Sequence, residues 1–265
     1  MKTLIVIPAR FQSTRYPGKP LAQLTGATGI AKTLIERTWD AGQGIAGADK
    51  VVVATDDSRI ADHVTGFGGT IVMTSSDCRN GTERCAEVAE KMEGFDLIVN
   101  LQGDAPLTPP WFLEGLIAAM EMREDVDVAT PVLNCSGAMR QALLDERKAG
   151  RVGGTTAVFD QSDRALYFSK EVLPFSGKSF GAEEATPVWH HVGVYAYRPA
   201  ALSRYMRLKE SLCERNEGLE QLRFLENGIP VLCVKTDARG RDFWELNNPE
   251  DVPKIEEMMK VMGIP

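Results

Sequence analysis

The chain has no basic surplus: 30 Lys and Arg stand against 37 Asp and Glu, a formal charge of −7. Non-specific binding to DNA or RNA works by neutralising many phosphates at once, so this balance excludes a nucleic-acid polymer as partner. Long apolar runs are also missing. None approaches the roughly 20 residues of a membrane-spanning helix, and Leu4–Ile7 is too short for a secretory signal core, with no small-residue cleavage site after it. Cysteine is sparse: Cys78, Cys85, Cys135, Cys213 and Cys233 are odd in number, scattered and without a C-x-x-C pair. Reduced thiols in a cytoplasmic protein with no membrane contact are the expectation, rather than disulfides or zinc. Internal repeats and hinge-like linkers are likewise absent.

What is present is ordinary for a globular chain. With 265 residues, 43% hydrophobic and 25% charged, plus 24 Gly and 14 Pro, the chain is neither low-complexity, collagen-like nor disordered. It suffices for one large α/β domain or two small ones. Short all-apolar runs at Leu4–Ile7, Val51–Thr55, Thr70–Met73 and Leu97–Leu101 alternate with helical stretches near Ile30–Asp40 and Thr82–Lys91. Asp56-Asp57-Ser58 is suited to capping the helix after the second run, and Pro109-Pro110 to opening another. Such alternation predicts a largely parallel, helix-covered sheet. In the second half, Val126–Val132, Thr155–Phe159, Ala165–Phe168 and Trp189–Tyr197 read as strands, Glu171–Pro187 as a long loop, and Glu214–Glu226 and Pro249–Met262 as closing helices. One α/β domain over residues 1–265 with an insertion at about 150–200 is the favoured organisation.

Two nucleotide-binding look-alikes are set aside. Gly42-Gln43-Gly44-Ile45-Ala46-Gly47 fits G-x-G-x-x-G but follows a helix and precedes a strand, the reverse of what a dinucleotide fingerprint needs. Ser176-Gly177-Lys178-Ser179 ends like a phosphate loop, yet Val172 stands where the first glycine belongs.

An acidic chain that handles anions must gather its cations in one place. The loop after the first strand does so: Arg10, Arg15 and Lys19 lie within ten residues, beside the hydroxyls of Ser13 and Thr14 and with no acid among them. It leaves the carboxyl end of a strand, where open α/β sheets bind ligands, and its charge density suits a polyphosphate. Downstream, Leu101-Gln102-Gly103-Asp104-Ala105-Pro106 puts a carboxylate just past another strand, placed either to hold Mg²⁺ against phosphates or to cap a helix. His190 and His191 are neighbours on one strand, so strict alternation lets only one line a given pocket. His63 reads as surface.

Pro8-Ala9-Arg10-x-x-Ser13-Thr14-Arg15-x-Pro17-Gly18-Lys19-Pro20, Asn80-Gly81-Thr82-Glu83-Arg84, Gln102-Gly103-Asp104-x-Pro106, Ala165–Ser169 and His191-x-Gly193-Val194-Tyr195 occur in that order. Together they resemble the 3-deoxy-manno-octulosonate (Kdo) cytidylyltransferases, over about residues 3–252. The resemblance implies a nucleotide-diphospho-sugar transferase-like fold, a mixed, mostly parallel sheet flanked by helices with a smaller inserted dimerisation subdomain, and a homodimer. It implies transfer of CMP from CTP to the anomeric hydroxyl of an acidic ulosonic sugar, with Mg²⁺ as cofactor and pyrophosphate released. Arg10, Arg15 and Lys19 would hold the triphosphate and Asp104 the metal, these four forming the catalytic set. Ala9, Ser13, Ser75, Asn80 and Gly81 would complete the nucleotide site; Gln102, Lys170, His191, Tyr195, Glu214, Glu217 and Gln221 would face the sugar. The i, i+3 spacing of Glu214, Glu217 and Glu220 puts them on one helical face, solvated or turned to a polyol.

The departures fall mainly on the sugar and metal side. Asn247 occupies the place of the family's second metal-ligating Asp, leaving Glu245 or Asp242 as an alternative source of charge. Ala105 replaces a usual Glu, Lys170 a usual Arg, and Cys78 and Asn80 a usual His and Ser. Three readings follow: a Kdo cytidylyltransferase; an enzyme for another acidic sugar, 8-amino-Kdo or sialic-acid-like; and a weakly catalytic regulatory paralogue that binds nucleotide or sugar.

Overall fold

The computed structural model describes every residue except Thr14, Gly153, Asp242 and Phe243, so the Thr14 hydroxyl and the Asp242 carboxylate lie outside the described residues. Strand β1 (Thr3–Ala9) is apolar on both sides: Leu4 and Val6 enter one core, Ile5 and Ile7 the other. Burial on two faces explains the unbroken apolar run. Next come the hairpin strands β2 (Gln23–Thr25) and β3 (Ala31–Thr33), α1 (Leu34–Gln43), β4 (Lys50–Thr55), α2 (Ser58–Gly66) and β5 (Ile71–Met73). Then follow α3 (Gly81–Lys91), β6 (Leu97–Asn100) and α4 (Pro110–Met122). The side chains of Thr33, Asp57 and Asn80 accept from first-turn N–H groups of α1, α2 and α3, which fixes where each helix starts.

The second half contains β7 (Val128–Ser136), α5 (Gly137–Lys148), β8 (Thr155–Phe159), β9 (Ala165–Ser169), β10 (Ala185–His191) and β11 (Tyr195–Tyr197). It continues with α6 (Pro199–Arg207), α7 (Leu212–Glu217), α8 (Leu222–Glu226), β12 (Val231–Thr236) and α9 (Val252–Val261). Apart from the β2–β3 hairpin, the strands form one mixed sheet in the order β5-β4-β1-β6-β11-β7-β10-β8-β9, with β12 on the other edge of β7. Neighbours from β5 to β6 run parallel, and β11 inserts antiparallel between β6 and β7. The expected mixed, mostly parallel sheet flanked by helices is what forms. Strands from residues 150–200 extend it, and an antiparallel bridge between Arg164 and Leu232 curls its far end back towards β12.

Three expected elements are divided. Trp189–Tyr197 is two strands: along β7, the outer partner changes from β8 to β6, and the chain steps across at Val192–Val194. The Thr130 hydroxyl donates to the carbonyls of Val192 and Val194 at 3.0 and 2.9 Å, filling the gap in the ladder. Glu214–Glu226 is two helices, because Gly218 takes a left-handed φ of 62°. In Ile30–Asp40, residues 31–33 pair with β2, and Thr33 starts the helix. Helices α5 and α6 and strand β12 had no counterpart in the sequence reading.

In a third apolar cluster, Leu24, Leu34, Leu107, Leu246, Ile255 and Met259 dock α9 on the hairpin and α1. The free thiols include buried Cys85, Cys135 and Cys233, and desolvation pushes Cys233 up to about 12. No helix among the described residues is long and apolar enough to cross a membrane.

Gly218→Ala is expected to cost about 1–2 kcal/mol, since an L-residue there is strained in the left-handed region. Its methyl would also meet Lys170 Nζ at 3.0 Å. Urea unfolding measures this, and an unchanged midpoint would contradict the strain.

Candidate active site

Two adjoining cavities open at the carboxyl end of the parallel strands. The first, about 380 Å³, is lined by Ala9, Arg10, Ser13, Arg15 and Lys19 from the first loop, Asn80 and Gly81 from the start of α3, and Gln102 and Asp104. The loop is held from both ends. Gly18 N–H donates to the Phe11 carbonyl at 2.9 Å, and the Phe11 ring lies under the Arg59 guanidinium, 3.3 Å from its centroid. At Gly103 the backbone passes so close to the first loop that a Cβ would sit 2.5 Å from the Pro8 carbonyl oxygen, so only glycine fits there. This close approach brings Asp104 to the cations: Lys19 Nζ lies 2.6 Å from Asp104 Oδ2. Arg15 Nη2 reaches Asn247 Oδ1 at 2.8 Å.

The amino end of α3 adds to the anion-binding character of this cavity. Asn80 caps the helix through Glu83 N–H at 2.8 Å, and the helix dipole directs partial positive charge at the cavity. Arg79 and Arg84 also line it. Sequence reasoning passed over both as ligands, although Arg84 belongs to the quoted Asn80–Arg84 motif. Buried Arg84 lies 3.3 Å from Asp56. Cys78 lines the same wall, where burial and its bond to Glu87 push the thiol up to about 12.

The second cavity, about 990 Å³, shares Asn80 and Gln102 with the first and runs on to His190, His191, Tyr195, Glu220, Gln221, Glu245 and Asn247. Both histidines rim it, correcting the expectation from strict alternation, because β10 ends at His191 and His190 borders Gly154, which lines the same cavity. His191 packs between Phe168 and Tyr195, at centroid distances of 5.0 and 5.5 Å. Burial, then neighbouring His190, pushes its pKa down to about 3, so it is neutral at physiological pH. His191 Nε2 and Gln221 Nε2 are both buried without a protein partner, and such atoms are suited to hydroxyl or carboxylate oxygens of a ligand.

This geometry joins a cationic, phosphate-sized cleft to a polar chamber with unsatisfied nitrogens, and the comparisons with known proteins agree with it. The cytidylyltransferase family model matches residues 4–236. A 3-deoxy-manno-octulosonate cytidylyltransferase from Maricaulis maris is 42% identical over 264 residues, spanning 99% of each chain. The chain belongs to the 3-deoxy-manno-octulosonate cytidylyltransferase family. A Chlamydia pneumoniae member is 42% identical, over 97% of this chain and 94% of its own. A mitochondrial member from Arabidopsis thaliana is 37% identical, over 96% and 82%. Among solved structures, a CMP:2-keto-3-deoxy-manno-octonic acid synthetase complexed with CTP matches with a TM-score of 0.84 at 33% identity, over 99% of this chain and all of that one. An inositol-1-phosphate CTP transferase from T. maritima, at TM-score 0.64 and 12% identity, shares the fold.

Against the residues expected of a cytidylyltransferase, four are placed elsewhere. Ser75 lies outside the lining of the first cavity; its N–H donates to Glu87 Oε2 at 2.8 Å and its Oγ accepts from Asp77 N–H at 3.0 Å, which makes it a turn residue. Glu214 is buried away from both cavities, boxed with Ser211 and accepting from Arg223 Nε at 2.7 Å. Glu217 accepts from Ser169 Oγ at 2.7 Å and Lys170 N–H at 2.9 Å, and so holds β9 instead of the sugar. Lys170 packs beside Gly218 and does not line the second cavity. The break at Gly218 ends the single acidic face, so Glu220 lines the chamber while Glu214 and Glu217 do not. Half-buried His63 is not a bare surface residue, since its Nε2 bonds Thr33 Oγ1 at 2.8 Å.

The residues present fit a hard divalent cation. Asp104, Glu245 and Asn247 are oxygen donors on facing segments, and Leu246 N–H ties those segments together by donating to the Asp104 carbonyl at 2.9 Å. Glu245 is open to cavity solvent yet ringed by protein, and this crowding together with the Asp104 charge pushes its carboxyl up to about 7.

Burial raises the Glu220 carboxyl to about 7. The folded protein therefore binds more protons than the unfolded chain between the usual carboxylate range and about pH 7, and stability falls as pH rises through that window. Glu220→Gln removes the loss, so its Tm minus that of wild type should increase from pH 5 to pH 8 in scanning calorimetry. A pH-independent difference would show that Glu220 ionises normally.

Proposed function

We propose that this enzyme transfers the CMP group of CTP to the anomeric hydroxyl of Kdo, releasing pyrophosphate, with Mg²⁺ as its cation. The observation that carries the reading is the junction of the two cavities at Asn80 and Gln102, in a chain 42% identical to a Kdo cytidylyltransferase along almost its whole length. The triphosphate lies in the first cavity, against Arg10, Arg15, Lys19 and the α3 amino end. The sugar acid occupies the second, where His191, Tyr195, Glu220 and Gln221 take its hydroxyls and Arg151 on the cavity lining faces its carboxylate. In the reaction, the anomeric hydroxyl releases its proton to solvent as its oxygen bonds to the α-phosphorus, and the bond from that phosphorus to the β-phosphate oxygen breaks, freeing pyrophosphate. Charge builds on the equatorial oxygens and on the departing pyrophosphate, and fixed cations stabilise it by position and electrostatics. The cation would be held by Asp104 with oxygens from the Glu245–Asn247 segment, supplying further charge against the phosphates. Ala9 and Gly81 border the nucleoside end.

Pyrophosphate release measured with CTP, Mg²⁺ and a panel of Kdo, 8-amino-Kdo and sialic acid tests the reading. Kdo is expected to be fastest; a faster amino sugar would move the assignment to that acceptor. Nucleotide binding without turnover on any acid would favour a regulatory binding protein. Lys19→Ala should lower kcat/KM by about 10²–10³-fold, the usual loss when one preorganised charge donor is removed.

The product would enter surface polysaccharide synthesis in the cytoplasm, and the active form would be a homodimer built on residues 150–200. Support for the dimer lies in β9, an edge strand with exposed Leu166, and in Phe175, which is 90% exposed on the loop beyond it. Sedimentation at twice the 29.1 kDa chain mass is the expected result. Leu166→Asp with Phe175→Asp should shift it to the monomer, and a wild-type monomer would refute the dimer.

A further inference from the structure

Tyr205 on α6 is fully buried and lines neither cavity, yet its hydroxyl stands between residues that do. Asn80, which borders both cavities, donates from Nδ2 to the Tyr205 hydroxyl at 3.2 Å, while its Oδ1 accepts from Glu83 N–H at 2.8 Å. The amide is therefore fixed at both ends, and one Nδ2 hydrogen is left over for a ligand. The hydrogen of the Tyr205 hydroxyl has two acceptors in reach, the Glu220 carbonyl at 3.3 Å and Glu214 Oε1 at 3.5 Å. Both belong to the α7–α8 segment. The Glu220 carboxylate in turn reaches back to α3, accepting from Thr82 N–H at 3.3 Å. Through these contacts Asn80, Tyr205, Glu220 and Thr82 form a closed ring, with Asn80 and Thr82 at the start of α3 and Glu220 in the wall of the second cavity.

Tyr205 is itself clamped. The Arg223 guanidinium lies over its ring, 4.1 Å from the centroid, and Phe224 packs against it at a centroid distance of 4.8 Å. Arg223 is buried and paired with carboxylates from two helices: Glu214 on α7 accepts from Nε at 2.7 Å, and Glu83 on α3 from Nη1 at 3.3 Å. Held in this way, the phenol has little freedom at its oxygen.

We propose that Tyr205 is a positioning residue for the transfer reaction. Its hydroxyl clasps the nucleotide-side wall at Asn80 to the sugar-side wall at Glu220, and so sets how the attacking hydroxyl meets the α-phosphorus. It touches neither substrate. Rates depend steeply on such placement, and a shift of about 1 Å can cost about 10²-fold. The inference rests on CTP and Kdo occupying the two cavities as proposed above.

The test is kcat per CTP-binding site, that is, pyrophosphate release divided by the CTP stoichiometry from calorimetry. Tyr205→Phe keeps the ring under Arg223 and removes only the hydroxyl. It should lower kcat per site about tenfold and leave KM for CTP and for Kdo within about threefold, since each wall stays built and only their relation is loosened. Asn80→Ser removes the amide donor while keeping a side-chain cap on α3. The links of the clasp act in series, so in the Asn80→Ser background Tyr205→Phe should cost less than about twofold. A merely structural role for Tyr205 would lower Tm or the CTP stoichiometry and leave kcat per site unchanged, and that result would overturn the proposal. So would a full loss from Tyr205→Phe repeated in the Asn80→Ser background. Either leaves the functional reading intact. A wild-type enzyme that binds CTP but turns over no sugar acid would overturn both.

Discussion

Like charges confined to one short loop repel, and the arrangement of this molecule around its active site answers that constraint. Arg10, Arg15 and Lys19 lie within ten residues of one another. The chain brings oxygens to them from two distant segments: Asp104 to Lys19 and Asn247 to Arg15. Each approach has its own local cause. Gly103 lets the Asp104 turn pass within a side chain's width of Pro8, and buried Leu246 pins the Asn247 segment against the same turn. These internal pairs hold the loop in place before any anion arrives. Preorganised charge of this kind needs little rearrangement during reaction.

Much of the nucleotide half was legible because its signals are local. A run apolar on both faces reads as a buried parallel strand, and β1, β4 and β6 sit where such runs occur. Caps at Asp57 and Asn80 are likewise one-residue signals. The second half was harder, since its elements are set by distant partners. Nothing local marks the step at Val192–Val194, where the strand beside β7 exchanges β8 for β6; only the sheet order reveals it. The helix expected over Glu214–Glu226 shows the opposite failure: Gly218 was visible, yet a single Gly in a helical pattern is tolerated often enough to be read through.

The same distinction governs the site. The residues that carry charge on the first loop, with Asp104, were found from composition and position, Gln102 from the family resemblance, and the structure brings them together around one cleft. Glu214 and Glu217 were selected by the family resemblance, with helical periodicity putting them on one face. Once the helix breaks, that periodicity no longer applies, and Glu220 is the acid left facing the chamber. Arg79 and Arg84 escaped notice because a cation at a helix start looks structural until its neighbours are known. The amide at 247 was visible as a departure from the family pattern, but its contact with Arg15 is a matter of three-dimensional placement.

The Arg15–Asn247 contact spans 232 positions. Its oxygen partner is therefore synthesised long after the first loop has left the ribosome. Closing so large a separation has an entropic cost that grows only slowly with length, but it cannot begin before both ends exist. A truncated or half-made chain would carry the cations without their counterpart, however well its first strands had folded. The pairing of the first loop therefore waits for residue 247, and a chain broken off before it has the Arg15 guanidinium without that acceptor.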